Sequence, residues 1–294
     1  MAIELVTKYL PYVDEIFTAE SKKELLTNQD FSFKGAHTVK IYKISTGKMQ
    51  DYGRSGATGN NWSRYGEVES LDATTQTMTL SKDRSFTFVI DALDEDETDG
   101  ALEAASALAR QVREVVIPEV DTYVLGTMCE LAGNKPAAKE LTKDNIYVEI
   151  ISANKLLDDE QVPETGRILV VTPATYLLMK QCKDITMETD IGNEMRIRGV
   201  IANLDGLTVM KIPASRLPKN FGFMIAHPCA TVAPTKLESY VTHHNPPGIS
   251  GDLVEGRVVY DAFVKDNKKK AICYQEQAAA QDEPKQEESG QGTE

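Results

Sequence analysis

Apolar and polar positions alternate over residues 31–44, FSFKGAHTVKIYKI, and the pattern turns β-rich again between Gly66 and Leu93. The threonines of the second stretch favour a pleated strand. Between them lies DYGRSGATGNNWSRYG, residues 51–66, with glycines at 53, 56, 59 and 66 and the only tryptophan, Trp62. Two strands flanking a long Gly/Asn loop predict an extended hairpin with a mobile tip. It carries little apolar content of its own, and an isolated two-stranded ribbon is marginal in water. The hairpin is therefore expected to lie against another surface.

Helical spacing dominates residues 97–133. Leu102, Ala105, Leu108, Val112, Val115, Val116, Val120, Tyr123, Val124, Met128 and Leu131 follow three- and four-residue steps. This predicts a long helix with one broad buried stripe. Thr98 or Asp99 is placed to cap it, and the acidic run Asp94–Asp99 suits the positive end of its dipole. Pro118 is expected to kink or split it, and Gly133 to stop it. Near the N-terminus, Leu5, Tyr9, Val13, Ile16 and Phe17 recur at helical spacing and Pro11 interrupts them. That reads as a broken amphipathic arm whose apolar side needs a surface to cover.

Residues 134–230 read as a compact α/β unit. NIYVEIISANKLLDD predicts a strand leading into a helix. RILVVTPATYLLMKQCKDI predicts a buried strand, a turn at Thr172-Pro173 and a helix. RGVIANLDGLTVMKIPASRLP predicts two strands around the turn dipeptide Asp205-Gly206, and FGFMIAHPCATVAP a further strand. The chain returns through GRVVYDAFV and KKAICY, expected to form a hairpin around Asp266-Asn267. The stretch 275–294 is polar and acidic and cannot bury enough to offset its ordering entropy, so it is expected to be disordered. There is no internal repeat.

The net charge is −13 over 294 residues. Such a surface repels nucleic-acid phosphates and anionic membranes, which argues against sequence-specific nucleic-acid binding. The cysteines Cys129, Cys182, Cys229 and Cys273 have neither redox-motif nor zinc-knuckle spacing and are expected to be reduced thiols. The N-terminal stretch has no basic region before a long apolar run, so no signal peptide is expected. Nowhere do 18 apolar residues run together, so no membrane span is expected.

Chemistry-bearing motifs are sparse. The glycine-rich segment lacks the Lys-Ser/Thr pair of a phosphate loop, and no helix follows it. A dinucleotide fingerprint, a zinc-hydrolase motif and a nucleophile elbow are missing from the sequence. His243 and His244 are adjacent and would point to opposite faces of a strand, which argues against a metal site. Asp94–Asp99 reads as a solvated helix start, and the lysines of KDNKKK as a solvated strand edge. No catalytic, cofactor-binding or metal-ligating residue is assigned. The residues suited to contact are Tyr52, Arg54, Trp62, Arg64 and Tyr65, because aromatics and arginine anchor interfaces.

The order of these parts, with GRILVVTPATYLLMKQCKDI, GVIANLDGLTVMKIPASRLP and VEGRVVYDAFVKDNKKKAICY in sequence, resembles the major capsid proteins of tailed bacteriophages over residues 1–274. The resemblance implies an α+β fold of the Hong Kong 97 type. Its parts would be an N-terminal arm (1–30) and an extended hairpin loop with the start of a peripheral domain (31–96). A spine helix (97–133), an axial domain (134–230), peripheral return strands (231–274) and the acidic tail (275–294) would follow.

What the family does is implied in the same way. Copies would assemble through hexamers and pentamers into an icosahedral head enclosing double-stranded DNA without sequence-specific binding. The protein would be made in the bacterial host cytoplasm and end in the virion, with a portal as partner. Because the arm begins at once after Met1, a separate scaffolding protein is expected. The hairpin tip would be a contact finger on a neighbouring subunit. Lys34, Lys40, Lys43 and Lys48 lie in the hairpin, but nothing marks one for covalent cross-linking. Two alternatives are an encapsulin-like nanocompartment shell holding protein cargo and, from another class, a small cytosolic α/β enzyme.

Overall fold

The computed structural model describes residues 21–30, 38–44, 48–56, 62–67, 73–92, 104–183, 185 and 200–278. The expected arm over residues 1–20, the acidic run Asp94–Asp99 and residues 279–294 lie outside the described residues.

Helix α1 (Ala104–Gln111), a π-helical turn (Val112–Val116) and helix α2 (Ile117–Glu130) run end to end. At 1.5 Å per residue the run spans about 40 Å. The predicted stripe is buried at Leu108, Val112, Val116, Val120, Val124 and Met128. Val115 and Leu131, predicted on the same stripe, are instead 46% and 38% exposed. Pro118 has no N–H to give the preceding turn, and the wider π turn just before it takes up that misfit. The helix ends at Glu130, before Gly133. Gly133 serves a close approach instead: its N–H bonds the Lys269 carbonyl at 2.9 Å, and a Cβ there would fall 2.5 Å from the Lys269 carbonyl carbon.

The largest sheet has five strands in the order β12-β7-β4-β6-β5. These are β4 (Ile168–Val171), β5 (Val200–Leu204), β6 (Leu207–Lys211), β7 (Phe221–Ala226) and β12 (Ile272–Glu276). Only β4 and β6 pair in parallel. Both faces are covered, which explains the nearly continuous apolar strands. One face sends Val170, Met210, Met224 and Ile272 into a core shared with α2. The other sends Leu169, Val209, Ile225 and Cys273 against α3 (Ile146–Asp159) and α4 (Pro173–Gln181). Thr172 caps α4 by accepting the Thr175 N–H at 3.0 Å, and Asp205 and Gly206, both at positive φ, turn β5 into β6 as the sequence predicts.

A second, antiparallel sheet has the order β3-β10-β9, with β3 (Lys82–Asp91), β9 (Thr235–His244) and β10 (Gly251–Tyr260). Its inner face packs Tyr240, Val254 and Val258 against the helical run. The predicted hairpin is present as β1 (Thr38–Ile44) paired antiparallel with β2 (Ala73–Thr79). Its root does find another surface, because Met78 and Leu80 bury against Val232 and Val259. Gln76 fixes its angle, donating to the Val264 carbonyl at 3.1 Å and accepting the Asp266 N–H at 3.2 Å.

Buried charges join these parts. Asp121 on α2 is fully buried and accepts from Ser21 Oγ at 2.7 Å, the Lys22 N–H at 2.9 Å and Arg216 Nη1 at 3.1 Å. Lys23, also buried, donates to the Ala233 carbonyl at 2.8 Å, and burial lowers its pKa. Arg167 closes the loop between α3 and β4, donating to the carbonyls of Val162 and Pro163 and to Asn154 Oδ1.

Three sequence-based expectations are corrected. NIYVEIISANKLLDD is helical throughout, because Ile146, Ile150, Ala153 and Leu157 fall on one buried helical stripe that overrides the β-branched composition. The hairpin around Asp266-Asn267 does not form: residues Asp266–Ala271 make a 3₁₀ helix, and β12 pairs with β7 while β10 lies between β3 and β9. Ile272 and Cys273 face the two different cores, which suits an edge addition to the five-stranded sheet rather than a surface hairpin. The expected disorder fails at residues 275–278, since β12 runs through Glu276, Gln275 is 1% exposed, and the Ala278 N–H bonds the Lys139 carbonyl at 2.9 Å.

Two outcomes are expected. Truncation after Ala278 leaves the urea unfolding midpoint unchanged, whereas truncation after Tyr274 lowers it, because it removes buried Gln275 and its bond to the Ala137 carbonyl. Equal midpoints would contradict this. The second concerns His227, whose Nδ1 accepts the Cys229 N–H at 3.1 Å, leaving Nε2–H to donate to the Thr165 carbonyl at 3.1 Å. Burial lowers its pKa below the ordinary 6.5, helped by Arg167 and Lys268. The folded state thus prefers the neutral ring, whose stabilisation is complete above pH 6.5 and is lost as pH falls through the depressed folded value. The stability gap between wild type and His227→Gln should narrow as pH falls from about 7.5 to about 5.5; a constant or widening gap would count against it.

Candidate contact surfaces

The hairpin tip is a braced turn over the residues described there. The Gly53 N–H donates to the Arg64 carbonyl at 2.9 Å, and the Gly56 N–H to the Gly53 carbonyl at 3.3 Å. Gln50 imitates a strand rung: its Oε1 accepts the Glu67 N–H at 2.6 Å and its Nε2 donates to the Glu67 carbonyl at 3.1 Å. Gly66 sits beneath it at φ +90°, where a Cβ would fall 1.9 Å from Gln50 Oε1. The positive φ favours glycine there, and a larger residue would push the Gln50 side chain away from Glu67. Residues 57–61 lie outside the described residues.

All five predicted contact residues are on the surface. Trp62 is 87% exposed, Tyr65 80% and Tyr52 51%, and Arg54 and Arg64 are exposed as well. The turn brings Tyr52 and Tyr65 together edge to face, with ring centroids 5.0 Å apart. Among the described residues, Arg64 joins the bracing through its backbone carbonyl. Sequence reasoning missed Met49, which is 99% exposed beside them. It also missed Gln50, whose role depends on the hairpin register. Exposed aromatics and arginines on a braced turn suit docking, since little freedom is left to lose on contact.

Other candidates behave structurally. His243 Nε2 lies 3.5 Å from Glu255 and His244 Nδ1 2.7 Å from Asp252, so each histidine meets a carboxylate across the β9–β10 pair. Lys269 pairs with Asp266 and Lys270 with Glu160. Cys129 and Cys273 are buried and pushed up to about 12 by desolvation, which keeps them as unreactive thiols. On the unit built around the five-stranded sheet, Val148 of α3 and Leu177 of α4 are exposed by 59% and 58%, apolar positions that the sequence pattern did not single out. No helix among the described residues is long and apolar enough to cross a membrane.

No protein-family model matches the chain, and no curated protein matches it. Solved structures do. The capsid of the cyanophage P-SCSP1u aligns with a TM-score of 0.64 at 12% identity, covering 87% of each chain. The mature capsid of bacteriophage PhiM1 gives 0.60 at 14% identity, covering 87% of this chain and 85% of the other. A virus-like particle from Pyrococcus furiosus gives 0.56 at 12% identity, over 93% of this chain and 100% of that one. At such low identity the likeness speaks for the fold, and the chain has the α+β fold of these phage capsid structures.

Proposed function

We propose that the protein is the major capsid protein of a tailed bacteriophage. On this reading, copies assemble through hexamers and pentamers into an icosahedral head that encloses double-stranded DNA. The observation that carries the proposal is near full-length similarity to phage capsids, covering 87% of this chain in two cases. The physical chemistry of the surface supports it. A ribbon whose tip carries exposed aromatics is useful in a shell, where another copy can cover them. The net charge of −13 lets a shell hold DNA without adhering to it.

In this reading the three-stranded sheet and the helical run form the peripheral domain, and the five-stranded sheet with α3 and α4 forms the axial domain. The strand β12 then belongs with the axial domain, whereas the sequence division at 231–274 assigns it to the peripheral one. A scaffolding protein and a portal are the expected partners, synthesis is in the host cytoplasm, and the finished location is the virion. The role is structural rather than enzymatic.

The second reading is a nanocompartment shell holding protein cargo; the likeness to a virus-like particle from Pyrococcus furiosus, outside the phage capsids, is what keeps it beside the first. Nucleic acid inside purified particles favours the first, and a stoichiometric cargo protein the second.

The test is proteolysis of the hairpin. Arg54 and Arg64 are exposed in a glycine-rich turn. Trypsin should cut the free subunit at these two exposed sites faster than it cuts the assembled fraction there. Equal cleavage in free and assembled fractions, or no assembled fraction even with co-expressed scaffold, would contradict the proposal.

A further inference from the structure

A groove runs between β3, β10 and the helical run. At one end is an apolar slot of about 160 Å³ lined by Phe86, Val115, Val116, Val120 and Val258. The slot is open to an occupant, since Val115 at its rim is 46% exposed. It continues into a wider cleft of about 550 Å³ lined by Lys82, Arg84, Glu119, Tyr123, Arg216 and Tyr260. Arg84, Glu119 and Tyr260 line both parts.

The cleft sets Lys82, Arg84 and Arg216 against Glu119 and the buried Asp121, which leaves one net positive charge on a strongly acidic chain. Glu119, its carboxylate, is already engaged by Arg84 at 2.9 Å and by the Tyr260 hydroxyl at 2.9 Å. Asp121, the partner of Arg216, is buried. Lys82 lies over the Tyr123 ring, 5.2 Å from its centroid. An occupant of this groove would therefore present an apolar side chain flanked by carboxylates.

The chain itself carries such a segment directly before Ser21 in sequence. Ser21 donates to Asp121, and Arg216, a wall of the cleft, donates to the same carboxylate. The preceding residues, 14–20, read DEIFTAE, with Ile16 and Phe17 between Asp14, Glu15 and Glu20. We propose that residues 14–20 dock in this groove of their own subunit, with Phe17 in the slot and the flanking carboxylates on Lys82, Arg84 and Arg216.

The dimensions agree. Val116 and Val120 lie within about 8 Å of Asp121 along the helix axis, and four residues from Ser21 to Phe17 reach about 13 Å when extended. An apolar cavity of about 150 Å³ in another protein takes up benzene, so a slot of this size suits one phenyl ring. Attachment through Ser21 makes docking intramolecular, which raises the effective concentration of the segment far above that of a free partner. A segment from a second copy lacks that advantage.

The test places a photoreactive benzoylphenylalanine at position 17 of the full chain and maps the attachment after irradiation. Attachment within residues 84–86, 111–120 or 258–260 on a monomer-mass band is the expected result. Attachment elsewhere on the same chain overturns the proposal, and a dimer-mass product overturns it by showing that another copy donates the segment. Lys82→Glu with Arg84→Glu should lower the attachment yield several-fold, and an unchanged yield removes the assigned role of the cleft. None of these readouts depends on shell formation, so this inference and the capsid proposal can fail separately.

Discussion

Asp121 is the point on which the subunit is assembled. Its buried carboxylate receives Ser21 and Lys22 from the N-terminal segment and Arg216 from the turn after β6, while its own backbone belongs to α2. Three stretches distant in sequence are thus held on one charge. Leaving such a charge buried and unpaired costs about 3–5 kcal/mol, a large share of the 5–15 kcal/mol that holds a typical domain together. The helical run can therefore act as a spine. One of its sides is the apolar stripe shared by both sheets, and a neighbouring position fixes where the N-terminal segment leaves.

What the spine organises is a subunit with unfinished surfaces. The ribbon β1–β2 is rooted by Met78, Leu80 and Gln76, yet its tip displays Trp62, Tyr65 and Met49 to solvent. Rigid anchorage and an exposed aromatic end are the properties expected of a part that contacts another molecule. The proposed shell role would give these surfaces a common explanation, because closing a shell requires every subunit to offer several of them.

Much of this was legible in the sequence because it is local. The 3.6-residue period of Leu108 to Met128 and the Asp205-Gly206 turn each depend on a few neighbouring residues and form as read, while Thr172-Pro173, read as a turn, is the capped start of α4. The misreadings arise where distant packing decides. Ile146–Ile151 looks β-branched enough for a strand, but a helix alone brings Ile146, Ile150, Ala153 and Leu157 to one core. KKAICY looks like a hairpin partner of the preceding strand, but β7 offers a free edge between two cores. The five tip residues were readable as exposed because glycine and polar neighbours cannot bury them. The bracing by Gln50 was not, since it depends on which residue the register sets opposite it.

The most direct test of the shell account is electron microscopy of the purified full-length protein, alone and with its co-expressed neighbouring proteins. The account predicts closed shells, tubes, or rings with five- and six-fold symmetry in at least one preparation. A monomer that stays monomeric in both, and under crowding, would contradict it and return the small α/β enzyme to consideration.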